Sequence, residues 1–192
     1  MNLIGLLLAA GRGRRMGGNK QFHIVTTPDG DKPLVAAAYD TIARACDRVF
    51  VVLGHRADEV ATVLAPRKFE IITADPDVPM IESILAGLRA INSRGATLAV
   101  HSILLQLGDH PALTPNTLDK LLAIAQQHPD KAIMPTYQGN GGHPVLIPTA
   151  IAAQILTIPC PDGLRQFWND HPELCVRLEV DDPGVVSNIN LV

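Results

Sequence analysis

The sequence predicts an α/β fold: a mostly parallel sheet with helices on both faces. Three observations carry that prediction. Short apolar runs alternate along the chain with segments of helical period, the pattern of repeated strand–helix units. The first apolar run, 3–10, ends in a loop rich in glycine and cations, at the edge where open parallel sheets bind their ligands. Hydrophobic residues make up 47% of the 192 positions against 18% charged, enough apolar surface for a sizeable core.

The elements follow in order. Leu3 to Ala10 is apolar throughout and reads as a strand buried on both faces. Pro33 to Cys46 reads as a helix, with proline suited to its first turn. Arg48 to Leu53 is a second strand, Arg56 to Leu64 a helix, and Phe69 to Thr73 a third strand. Met80 to Ile91 has helical spacing through Ile81, Ile84, Leu85, Leu88 and Ile91. Gly87 within it costs helix stability relative to alanine, which suggests close packing on the sheet. Ala99 to Leu107 is a fourth strand, apolar apart from His101, Ser102 and Gln106. Thr114 caps a helix that has Pro115 at its first position and an apolar stripe of Leu118, Leu121, Leu122 and Ala125. A glycine-rich turn at 138–144 leads into another apolar strand, and Asp162-Gly163 opens a last helix in which Trp168 packs. No internal repeat, low-complexity stretch or linker divides the chain, so a single domain over 1–192 is expected.

Composition limits the function classes. The net charge of −3 gives no general attraction to nucleic acid or membranes. Cys46, Cys160 and Cys175 are odd in number, widely spaced and without a zinc pattern, as expected of reduced thiols in a cytoplasmic protein. The N-terminal apolar run is too short to span a membrane and lacks a charged leader with a cleavage site.

The chemistry is concentrated first in the loop Gly11–Lys20, where four glycines, three arginines and a lysine follow the first strand. Glycines let backbone N–H groups approach a ligand, and the cations add charge that backbone donors lack. A P-loop is excluded because Lys20 stands between Asn19 and Gln21, with no Ser or Thr after it. The dinucleotide fingerprint is excluded because Met16 replaces its third glycine. What remains, G-x-G-x-R-M-G-G-x-K, reads as a polyphosphate cradle. A solvated turn without a ligand is the alternative.

This loop resembles the N-terminal signature of nucleotidyltransferases with the nucleotide-diphospho-sugar transferase fold. Its Leu8-Ala9-Ala10-Gly11 opening is similar to that of the molybdenum cofactor cytidylyltransferases, where guanylyl-transferring relatives tend to carry Leu-Ala-Gly-Gly. The resemblance implies a three-layer Rossmann-like fold, with CTP or another nucleoside triphosphate as one substrate and a molybdopterin-type compound as the other. It also implies nucleotide binding by the main chain of Leu8, Ala9, Ala10, Gly11, Arg12 and Gly13, and catalytic triphosphate contacts from Arg15 and Lys20. Base preference would rest on Ala10.

Five further segments carry the resemblance. Gly108-Asp109-His110-Pro111 matches the family's Gly-Asp-x-Pro, whose aspartate holds Mg2+; taken alone, Asp109 could equally close a turn. The family usually has methionine or glutamine where His110 stands. Ser83 and Gly87 match a Ser-[Leu/Ile]-x-x-Gly-Leu segment that contacts base and ribose, with a solvated helix serine as the alternative. Gly142-His143-Pro144-Val145 is close to the segment that sets molybdopterin enzymes apart from sugar-nucleotide enzymes. There, His143 would contact the acceptor's phosphate or dithiolene, unless it is purely structural. Arg165 would either bind the acceptor's phosphate or face solvent. At the C-terminus, Asn188 and Asn190 match the asparagine form of a second metal-ligand pair, or simply end a strand. Asp181 and Asp182 read as a turn rather than as ligands.

The expected reaction is transfer of CMP from CTP to a molybdopterin-type cofactor with release of pyrophosphate, with a molybdenum hydroxylase as a candidate recipient of the product. Transfer to a sugar or polyol phosphate is the rival reaction. A non-catalytic cofactor-binding chaperone is the rival class, favoured by His110 and by the missing Thr-Pro-Glu-Asp continuation.

Overall fold

A computed structural model of the chain describes residues 2–12, 19–94 and 102–188. It has the expected three layers. The first strand, β1 (Leu3–Ala9), is buried at every position, as its unbroken apolar run requires. It pairs in parallel with β4 (Arg48–Leu53) on one side and β6 (Ser102–Leu107) on the other. Beyond β4 lies β5 (Glu70–Thr73), also parallel. On the far side, β9 (Val145–Pro148) runs antiparallel to β6 and to β7 (Ala132–Tyr137). The parallel strand β10 (Cys175–Glu179) closes that edge. A two-residue strand, β8 (Asn140–Gly141), hangs on β7, and the order across the sheet is β10-β7-β9-β6-β1-β4-β5.

Alternate residues of each strand feed two cores. Ile4, Leu6 and Leu8 of β1 face a layer formed by α3 (Met80–Ser93), α5 (Thr149–Ile155) and α6 (Leu164–Asp170). Leu3, Leu7 and Ala9 face α1 (Leu34–Ala43), α2 (Ala57–Leu64) and α4 (Pro115–Gln127). Each fully buried leucine or isoleucine contributes about 1.5–3 kcal/mol of transfer free energy, so both faces of β1 anchor the fold.

Boundaries differ from the sequence reading where local chemistry intervenes. Pro33 does not open α1; it ends β3 (Gly30–Pro33), which pairs with β2 (Ile24–Thr27) as a separate hairpin. The Pro28-Asp29-Gly30 turn is the signal for that hairpin, and Gly30 takes the positive φ such a turn needs. Arg56 precedes α2 in a left-handed conformation, its guanidinium paired with Glu59 and lying over the Phe22 ring. The fourth strand is described from Ser102; Ala99, Val100 and His101 lie outside the described residues. Thr114 caps α4 as expected, its hydroxyl accepting from the Thr117 N–H at 3.3 Å. Trp168 is buried on α6 against the Phe167 ring.

Gly87 explains itself in this packing. A Cβ there would lie 2.7 and 2.8 Å from the two terminal carbons of Leu6, a fully buried side chain at the centre of the sheet. Gly87→Ala would gain about 1 kcal/mol of helix propensity and lose about 1–3 kcal/mol to overpacking. Net destabilisation is therefore expected, seen as a lower urea midpoint with an unchanged m-value.

Candidate active site

The chain leaves β1 at the middle of the sheet, builds outward through β4 and β5, then crosses back to add β6 on the other side of β1. Such a reversal of strand order leaves a crevice at the strands' carboxyl ends, where open α/β sheets hold ligands. Register sets what lines it. Leu8 pairs with Leu107, and the Gly108 N–H donates to the Leu8 carbonyl at 2.9 Å. A Cβ at Gly108 would stand 2.9 Å from that same oxygen, so only glycine lets the two strand ends close. Gly11 and Asp109 are thereby brought to the same wall.

A cavity of about 290 Å³ lies there, lined by Leu8, Ala9, Ala10 and Gly11 from the first loop, Lys20 and Gln21 from the turn after it, and Ser83 from the start of α3. Asp109 lines it as well, at the end of β6. A Cβ at Gly11 would meet nothing within 4 Å among the described residues. Lys20 Nζ lies 2.7 Å from Asp109 Oδ2, a cation and a carboxylate eighty-nine positions apart in sequence. Arg12 turns instead to the far rim, where both arms of its guanidinium donate to Asp77. Gln21 Nε2 donates to the Ala9 carbonyl and ties the second loop to the first.

Beside this cleft opens a larger cavity of about 510 Å³, with Met80 and Leu107 shared between the two. His143, Arg165 and Trp168 line it, together with Met134, Asn140, Asn169 and Arg177. Its body is apolar and its two arginines supply positive charge. An anionic ligand with a flat apolar portion suits that lining.

His143 is packed edge-on against His110, with ring centroids 5.5 Å apart, and its Nδ1 lies 3.5 Å from the Leu105 carbonyl. Burial, reinforced by His110, pushes the His143 imidazole down to about 4. Burial also lowers His110, only partly offset by Asp109 and the Val185 backbone. Both rings are therefore neutral at pH 7, and His143 can offer a hydrogen bond but not a charge.

The C-terminal segment is anchored to this region by Asp182. Its carboxylate, buried, accepts from the Thr114 N–H at 3.0 Å, the Thr114 and Thr117 hydroxyls at 2.8 and 2.7 Å, and the Gly184 N–H at 2.9 Å. Burial pushes this carboxyl up, but the hydrogen bonds from Thr117, Thr114 and Gly184 outweigh that and hold it below the ordinary range. The turn Pro183–Val185 then meets the larger cavity's rim, where the His143 N–H donates to the Val185 carbonyl at 2.8 Å.

The sequence-derived residues thus separate into groups. Leu8, Ala9, Ala10, Gly11, Lys20, Ser83 and Asp109 line one cleft, and His143 and Arg165 line its neighbour. Gly87, expected at the nucleotide, is instead packed on Leu6, because the second turn of α3 lies over the sheet rather than over its edge. Arg12 is held by Asp77, a partner the sequence reading did not give it. Asn188 is exposed, just beyond the turn that Asp182 holds; Gly13, Arg15 and Asn190 lie outside the described residues. Sequence reading missed Gln21, Arg177, the pairing of Asp77 with Arg12 and the lock at Asp182, because each depends on strands or loops distant in sequence. Among the described residues no cluster of three or more His, Cys, Asp or Glu side chains suits a metal. A single carboxylate on a cleft wall, about one-third exposed, does fit magnesium that arrives with triphosphate oxygens, since that ion keeps only one or two protein carboxylates.

Fold and cleft together define a nucleotidyltransferase. The chain belongs to the MobA-like NTP transferase domain family, whose model matches residues 5–174. It is 24% identical over 189 residues to the molybdenum cofactor cytidylyltransferase of Escherichia coli, covering 96% of this chain and 89% of that one. It is also 30% identical over 117 residues to the bifunctional protein GlmU of Pseudothermotoga lettingae, 61% of this chain but only 24% of that much longer protein. A nucleotidyl transferase from Methanothermobacter has the same fold, with a TM-score of 0.77 at 22% identity over 98% of this chain and 92% of that one. No helix among the described residues is long and apolar enough to cross a membrane.

The depressed histidine makes a pH prediction. An unfolded histidine titrates at 6.5 and His143 at about 4, so between those values the unfolded chain binds the extra proton. Stability must fall as pH drops through that window, by about 3 kcal/mol from this residue. Urea midpoints from pH 7 to 4 should decline less steeply in His143→Gln than in the unmodified protein.

Proposed function

We propose that this protein transfers CMP from CTP to a molybdopterin-type cofactor, releasing pyrophosphate, and that it acts as a single domain spanning 1–192. The observation that carries this reading is the meeting of Lys20 and Asp109 in a glycine-walled cleft that adjoins a larger cavity, apolar with two arginines. An acceptor phosphate oxygen would attack the α-phosphorus of the triphosphate, the bond to the β-phosphate oxygen would break, and pyrophosphate would leave. The attacking oxygen is already anionic, so no general base is needed, and the neutral His143 and His110 are not asked to be one.

The protein's work is to align two anions and offset their charge. The backbone from Leu8 to Gly13 receives base and phosphates, Ala10 favours cytosine, and Ser83 contacts the nucleoside. Lys20 and Arg15 hold the triphosphate. Asp109, with Asn188 and Asn190, would hold Mg2+, whose charge would offset that of the phosphates. On nucleotide binding Lys20 has a stronger anion available than Asp109, which frees the carboxylate for the metal. His143 and Arg165 receive the acceptor in the larger cavity, and its apolar body with two arginines supports a heteroaromatic phosphate over a small polyol phosphate. The likeness to the Escherichia coli cytidylyltransferase along nearly the whole chain supports the same choice. The absence of a zinc or disulfide pattern among the cysteines agrees with a cytoplasmic location.

Pyrophosphate release with CTP, GTP, ATP and UTP, each with and without molybdenum cofactor, tests the assignment. Release with CTP only when the cofactor is present is the expected result. Release driven by a sugar phosphate would transfer the reading to that acceptor, and tight cofactor binding without turnover would make the protein a chaperone. Lys20→Ala should lower kcat by about 10²–10³ through lost charge stabilisation. The same change should alter stability by less than about 1 kcal/mol, since its ion pair is partly exposed. Undiminished turnover in that variant would overturn the catalytic role of Lys20.

A further inference from the structure

An uncharged amide stands in the middle of an apolar strand. Gln106 follows Ile103, Leu104 and Leu105 in β6, is completely buried, and faces α1 rather than either cavity. A leucine would suit that core better, because a buried amide is costly unless its hydrogen bonds are all made. Here they are made, and they converge on the Asp109 turn. Nε2 donates to the His110 carbonyl at 2.8 Å and to Thr41 Oγ1 on α1 at 3.3 Å, while Oε1 accepts from the Leu107 N–H at 3.3 Å. Thr41 spends its one hydroxyl hydrogen on the Ala38 carbonyl, at 2.7 Å. Its oxygen can therefore only accept from Gln106, which fixes the orientation of the amide.

The turn carrying Asp109 has no regular secondary structure of its own. On one side the Gly108 N–H is tied to Leu8, and on the other the His110 N–H is tied to Leu107 at 3.2 Å. Behind them, the His110 carbonyl is taken by Gln106. We infer that Gln106 is a positioning residue: its amide, braced on Thr41, pins the His110 carbonyl and so aims the Asp109 carboxylate into the nucleotide cleft. This rests on the nucleotidyl-transfer reading and adds to it a residue that touches neither substrate nor metal. Groups that orient a metal ligand from behind govern metal affinity by about tenfold to a hundredfold.

Gln106→Met keeps volume and apolar contacts but removes both donors. In the full chain it should weaken manganese binding beside CTP, followed by electron paramagnetic resonance, by about tenfold or more. CTP binding without metal should stay within about twofold, and kcat should fall while KM for CTP holds. Thr41→Val removes only the distant brace and should reproduce part of the loss, whereas Thr41→Ser should behave as the unmodified protein. That pair decides the matter if Gln106→Met does not fold. Unchanged manganese affinity and kcat in a folded Gln106→Met, even with a lowered Tm, would overturn the inference and leave Gln106 a core residue. An unmodified protein that binds no manganese beside CTP would overturn the functional reading instead. In that case amide hydrogen exchange across 108–110, which needs no ligand, still tests the tether: it must quicken in Gln106→Met and Thr41→Val, and no change would sink it.

Discussion

Everything at this site depends on the pairing of β1 with β6. The two strands are separated by about half the chain, yet their parallel register sets Leu8 against Leu107 and leaves both carboxyl ends level. The hydrophobic free energy gained by burying β1 on both faces holds that register, because a slip by one residue would turn every side chain to the wrong layer. From it follow the closeness of Gly108 to the Leu8 carbonyl and the meeting of the first loop with Asp109. The local conformations of the two loops matter less than the strands that deliver them.

Two cations of the cleft are balanced internally. Lys20 rests on Asp109 and Arg12 on Asp77, so these two cations are already paired with carboxylates from other loops. Both pairs are partly exposed, where water screens an ion pair and it contributes little, so a multiply charged ligand can displace them at small cost. The same pairing keeps the two rims of the cleft in place: one joins the first loop to the segment before α3, and the other joins the turn at Lys20 to the end of β6. Asp182 differs in kind. Its carboxylate is buried and takes hydrogen bonds from Thr114, Thr117 and Gly184, which makes it a structural lock between α4 and the C-terminal turn rather than a ligand in waiting.

The histidines of the larger cavity show how burial changes a residue's chemistry. His143 and His110 are packed edge to face, and each is discouraged from carrying a proton. Positive charge in that cavity therefore comes from Arg165 and Arg177. The first of these is visible in the sequence at a helix start. The second is on the edge strand β10 and reaches the cavity only because β10 pairs with β7.

What the sequence determined by itself is local. The uniform apolarity of Leu3–Ala10 dictates a strand buried on both faces, and Thr114-Pro115 sets a helix start to the residue. Gly87 could be read as a close-packing position, though not as packing on Leu6. Other features required partners far along the chain. The β2–β3 hairpin displaced the start of α1, and Gln106 looked like an irregularity in an apolar run. Asp182 could be read as part of a turn but not as a lock on Thr114 and Thr117, the partner of Asp77 could not be read, and Arg177 carried no signal. Only the tertiary structure could decide these, because a hydrogen bond or ion pair between residues 12 and 77, or 20 and 109, is set by strand order and register. Neither quantity has a local signature: the sequence states which faces must be buried, and the packed sheet alone determines which loop ends then meet.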